Sequence, residues 1–278
     1  MTKKLLIAVS LLLVAVAVGF YFWWTKPYKL PEITPGITIE QYGLDFSEEM
    51  RTYPAVSTIS DSIADLQQAV AKAPDNLAYS NALRTAMARA DQAEAFIAFA
   101  NEMGSETQRL KLQKALAYID QLQNPDLGTA SLGQISSRSI SILNEIISEN
   151  PYDWLAHYAR GLNNLYWPSG LQRTDKAIQD LAYCLAVAKQ LMPQMDSPLW
   201  PMIYTAYGDA LVKAGKSQEG IAVWKEGAKR FPEDKPLADR KSLNSEEARE
   251  RVKETRGIDT FQRPDPSISD LSVLWDTK

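Results

Sequence analysis

Apolar residues are distributed along the chain in distinct patterns. From Leu5 to Trp24 they run without a charged residue, behind Lys3 and Lys4 and ahead of Lys26 and Lys29. A run of about 20 apolar residues makes a helix of roughly 30 Å, the thickness of a bilayer's hydrocarbon core, so it predicts a transmembrane anchor within residues 1–27. Phe20, Tyr21, Phe22, Trp23, Trp24 and Tyr28 crowd its far end, where amphipathic rings favour the headgroup level. Ala15-Val16-Ala17 would serve as a cleavage site if the segment were instead a secretory signal. A short basic start stays inside, which places the rest of a single-pass inner-membrane protein in the periplasm.

Residues 28–57 scatter their apolar positions among Pro31, Pro35, Gly36 and Gly43. Without a helical period they read as an extended, proline-stiffened linker. Ile37, Ile39, Tyr42, Leu44 and Phe46 are too many for a pure spacer, and imply that part of it lies in a groove. Over 58–232 the period becomes helical. Ile63, Leu66 and Val70 form one stripe closed by Pro74; Asn76 to Ala88 and Gln92 to Met103 form a pair; Glu106 to Leu122 and Gln134 to Glu149 form another across the long connection Gln123 to Gly133. Trp154 to Tyr166, with a second helix through Ala177, Leu181 and Cys184, precedes a last pair over Trp200 to Pro232. The fold class is all-α. In 233–278, Asn244 with Glu247 predicts a capping box opening a charged helix. The tail Arg263 to Lys278 ends in Leu271, Val273, Leu274 and Trp275, an apolar end expected to dock on the chain's own helices or on a partner.

Tyr204, Tyr207, Gly208 and Leu211, followed by Trp224 and Pro232, stand at the spacing of the tetratricopeptide pattern. The stretch therefore resembles a tetratricopeptide repeat, with one departure: Gly220 stands where the pattern has alanine, at a cost of about 1 kcal/mol in helix propensity. Gly161 takes the corresponding small-residue place one pair earlier. The resemblance implies an α-solenoid of helical hairpins in which the first helix of each pair lines a concave groove. It nominates Tyr158, Leu162, Leu165, Tyr166, Met202, Thr205, Asp209 and Lys213 for contact with a protein partner's peptide or helix. Together with the anchor it implies a membrane-associated adaptor or assembly subunit, or alternatively a ligand-binding accessory of a transporter.

Composition narrows this further. A net charge of -4 without a basic run disfavours nucleic acid. A single cysteine, Cys184, and a single histidine, His157, exclude a disulfide framework within one chain and a His/Cys metal cage. Both read as buried structural residues. No activated nucleophile, phosphate loop or cofactor motif is visible, so no enzyme and no cofactor is expected. Self-association is left open by the pattern.

Overall fold

Several helices in this chain begin where a side chain accepts a free backbone amide. The computed structural model describes residues 2–60, 62–104 and 107–276, without the side chains of residues 2–4, 6, 20, 23 and 267. After α1 (Thr2–Thr25), α2 (Ser47–Ile59) and α3 (Ile63–Lys72) come four hairpins: α4 (Leu77–Arg89) with α5 (Ala93–Glu102), α6 (Gln108–Gln121) with α7 (Thr129–Glu149), α8 (Trp154–Leu165) with α9 (Thr174–Leu191), and α10 (Leu199–Lys213) with α11 (Ser217–Arg230). A short α12 (Lys235–Ala238) and α13 (Ser245–Arg256) follow, then 3-10 turns in the tail. Each hairpin packs on the next, an all-α arrangement consistent with a solenoid. Asn76, Thr107, Asp153 and Asn244 each accept an amide from the first turn of the helix they precede, a contribution of about 1 kcal/mol apiece. The expected capping box is formed, with Glu247 returning a bond to the Asn244 amide at 2.9 Å.

The last hairpin shows how its seam is made. Trp224 is fully buried and its indole donates to the Thr205 carbonyl at 3.2 Å. A Cβ on Gly208 would overlap that indole, and one on Gly220 would lie 2.6 Å from the Gly208 carbonyl oxygen. Gly220 is thus a requirement of close approach, and the small helix-propensity gain from alanine is outweighed. Gly220→Ala is expected to lower stability by about 1 to 3 kcal/mol, in place of a gain of about 1; chemical denaturation of the purified variant checks the sign.

The expected anchor is corrected. Among the described residues no helix is long and apolar enough to cross a membrane, which removes the transmembrane part of the expected architecture. The single-pass inner-membrane topology, the periplasmic placement and the membrane contact through Leu5 to Trp24 go with it. α1 includes Lys3 and Lys4 in its first turn, and Leu5, Ile7 and Leu11 to Leu13 on it are exposed. The aromatic end, expected at a headgroup layer, is held by protein. Trp24 donates to the Leu171 carbonyl at 2.8 Å and lies under the Arg173 guanidinium at 3.6 Å from its centroid. Tyr28 receives Asn164 on its hydroxyl at 3.1 Å and packs beneath Arg160 at 3.6 Å.

Residues 28–57, expected as an extended linker, are bound along most of their length. Tyr42, Leu44 and Phe46 are buried in the main core, with Trp154 donating its amide to the Tyr42 carbonyl at 2.9 Å. Arg109 holds the Gly43 carbonyl at 3.1 Å. α2 then forms in spite of Pro54. Its buried Glu49 accepts the Leu77 amide at 3.2 Å, a carboxylate at the positive end of α4.

Candidate functional site

α4, α6, α8 and α10 supply one face of the stack, and the chain's own C-terminal segment runs back along it. Ile258 accepts the Ser169 amide at 2.7 Å, and the Gln262 amide reaches the Tyr166 carbonyl at 3.2 Å, both beside the end of α8. Arg263 then donates to the carbonyls of Leu122 at 2.9 Å and Leu127 at 3.2 Å. These carbonyls follow α6, whose last turn leaves acceptors free and carries partial negative charge, so a guanidinium fits there. Gln123 completes the clasp by donating to the Pro264 carbonyl at 2.8 Å.

At the other end the tail meets a buried polar set. Arg84 is almost fully buried; it pairs with Asp120, donates to Gln113 at 2.6 Å, and holds the Ser269 carbonyl. Ser269 donates to Asp120 at 2.7 Å. Asn81 uses both halves of its amide. Its nitrogen donates to the Asp270 carboxylate at 2.9 Å, and its oxygen accepts the Leu271 backbone amide at 3.1 Å. Leu271, Leu274 and Trp275 are buried in the same core as the helices, Trp275 lying 6.1 Å from Phe46 between ring centroids. Each such side chain contributes about 1.5 to 3 kcal/mol by burial. A gap of about 40 Å³ remains among Leu116, Leu162, Phe261 and Leu271.

Of the groove residues nominated from the sequence, Tyr158, Leu162, Tyr166, Met202 and Thr205 line one cleft of about 550 Å³, together with Arg240, Arg256 and residues of the tail. Leu165 is fully buried core and lies outside that lining. Asp209 is also fully buried. Its carboxylate takes Arg240 Nε at 2.9 Å and Arg256 Nε at 2.8 Å. Burial opposes the Arg256 charge, but Tyr166 and Asp209 more than offset it and raise its pKa. Lys213 spends its ammonium on the Leu165 carbonyl at 2.7 Å and the Arg256 carbonyl at 3.1 Å, bridging the ends of α8 and α13. Burial, with Arg256 nearby, lowers its pKa to about 7.

His157 and Cys184 are fully buried. His157 Nδ1 faces Asp180 at 2.8 Å and Nε2 faces the Pro151 carbonyl at 2.9 Å, while Arg160 grips the same Asp180 carboxylate at 2.7 and 2.9 Å. Burial pushes the Cys184 thiol well up, which keeps it protonated and unreactive. Among the described residues no group of three or more His, Cys, Asp or Glu is placed to hold a metal. Sequence reasoning missed Asn81, Arg84, Arg240 and Arg256. For Asn81 and Arg84 the available signal was polar residues at helical spacing on the alanine-rich face of α4.

No family model matches the chain, and no curated protein or solved structure matches it. The resemblance to tetratricopeptide repeats is therefore corrected. Gly208, Gly220 and Trp224 are accounted for by the close crossing of α10 and α11, a geometry that does not require family membership. The membrane adaptor, the membrane-associated protein partner and the transporter accessory, which rested on the anchor and the resemblance, are withdrawn with it.

Proposed function

We propose that this protein is a helical binding scaffold that receives a polypeptide segment along α4, α6, α8 and α10, and that its own residues 258–276 hold that groove in cis. The observation that carries the reading is the treatment of the tail's main chain. Asn81 accepts the Leu271 amide, and Arg84 donates to the Ser269 carbonyl. Side-chain bonds to backbone groups hold a bound segment in register, here between its 3-10 turns, and the flanking apolar pockets supply selectivity. The role is one of binding, with no chemical step.

A tethered occupant competes at an effective concentration on the order of millimolar. A labelled peptide of residues 258–278 is therefore expected to bind the intact chain weakly. In a full-length variant carrying Leu271→Asp and Leu274→Asp, which loosens the tail and leaves the helices intact, binding is expected to tighten by about tenfold or more. Fluorescence anisotropy measures both. Equal affinity for the two chains, or no binding to either, would remove the proposal.

A further inference from the structure

The fold leaves two apolar surfaces of this chain uncovered. The first is α1, where Leu5, Leu12 and Val16 stand exposed on one side and Ile7, Leu11 and Val18 on another. A helix that is apolar all round is a buried helix, and none among the described residues is long and apolar enough to cross a membrane. Eleven large apolar side chains of α1 are between 46% and 68% exposed. At roughly 100 Å² apiece they offer on the order of 1,000 Å², and one partner of a standard-size interface buries about 800 Å². Trp24 and Tyr28 tie the far end to the fold, so the exposed length before them is what a second molecule would meet.

The second surface is a groove of about 630 Å³ between residues 39–50, the connection from α9 to α10 and the end of the tail. Phe46, Met195, Trp200 and Phe231 line it with the exposed Met50 and Val273. Its charged residues are Asp45 and Asp196, both exposed, and among the described residues it holds no lysine or arginine. Arg109, which lies over the Phe46 ring, donates to the Gly43 and Asp45 backbone carbonyls. One oxygen of Asp45 takes the Ser47 amide at 3.0 Å, and Asp196 has no partner among the described residues. The groove is therefore apolar on its floor and acidic at its rim. The α1 segment is its counterpart: Lys3, Lys4, Lys26 and Lys29 flank its apolar run, and no acidic residue precedes Glu32.

We infer that the chain self-associates by exchange of α1, one stripe of the helix lying in the groove of a second copy. No residue of α1 lines the groove of its own chain. Reciprocal exchange closes a two-fold dimer, which leaves no open contact to propagate. Met50 and Met195 carry flexible thioethers that adapt to an incoming helix, and the complementary charges set its orientation. Only Val273 and Leu274 of the lining come from the tail, and the inference does not rest on what the tail's own groove binds.

The test is sedimentation equilibrium of the full chain, in which a discrete species of two copies that dissociates on dilution is expected. Met50→Lys brings an ammonium onto the apolar floor, and Asp196→Lys reverses the rim. Each is expected to weaken the dimer by about tenfold or more with helix content unchanged, and so is Leu12→Glu on α1. Mixing then decides the geometry. Leu12→Glu and Met50→Lys chains, each weak alone, are expected to pair with one another more tightly than either does with itself. The mixed pair keeps one intact helix-in-groove contact, and a contact already broken has little more to lose. A monomer at every concentration, whether or not phosphatidylcholine vesicles take it up, would overturn the inference. So would association as tight in both groove variants as in the unmodified chain, or mixed chains that pair no better than separate ones.

Discussion

Trp224→Ala is expected to destabilise the protein by about 3 to 5 kcal/mol. The indole is fully buried, bonds the Thr205 carbonyl at 3.2 Å, and fills the notch that Gly208 leaves on α10. Two glycines face this seam, Gly208 and Gly220, and neither has a side chain that could swing into the vacated space. The site therefore collapses poorly, which is the condition under which large-to-small substitutions cost most. The Thr205 carbonyl also loses its donor. Denaturant titration measures the loss; a change below about 1 kcal/mol would mean that the hairpin is not held by this ring.

Asp209→Asn is expected to cost a similar amount, about 3 to 5 kcal/mol, because it breaks a buried ion pair from one side only. Asp209 is fully buried while Arg240 and Arg256 converge on it from beyond α11. Neutralising it leaves two guanidiniums without their shared carboxylate. The effect should also be directional. α12 and α13 are pinned to α10 through this residue, and the tail departs from the end of α13, so the variant should loosen 235–276 before the hairpins. Limited proteolysis is expected to cut the C-terminal region of the variant first. A stable variant with an unchanged cleavage pattern would mean that the network is not what fixes the tail's point of departure.

The helices themselves were legible in the sequence because their signals are local. Apolar spacing and a capping box such as that of Asn244 with Glu247 act within a turn or two, and the observed elements fall near where those signals place them. α2 was not legible. Its buried positions are only Glu49 and Val56, too few to set a period, and Pro54 argues against it. α7 begins at Thr129, ahead of the expected Gln134. Gly133, which reads as turn chemistry, lies within the helix, where a Cβ would be 3.6 Å from the Trp167 ring.

Longer-range features were legible only in part. The apolar tail announces that it must dock, but its destination depends on Asn81 and Arg84, roughly two hundred positions away along a chain whose spacing carries no trace of that contact. The charged α13 reads as a wettable cap, which conceals that Arg256 at its end turns inward to Asp209. Composition likewise could not show that Trp24 and Tyr28, at the end of the apolar run, are taken up by Arg173 and Arg160. Where a residue's partner lies on a distant element, pattern identifies the residue as unusual without identifying what satisfies it.

Amide hydrogen exchange of the intact chain, read over 268–276, tests the central claim most directly. The Leu271 amide is bonded to Asn81, and those of Leu274, Trp275 and Asp276 close turns beside buried side chains. If the tail fills the groove, these amides should exchange far more slowly than in a free peptide of the same sequence, and substitution of Asn81 by alanine should speed them. Exchange at the free-peptide rate in the unmodified protein would show an empty groove and contradict the account.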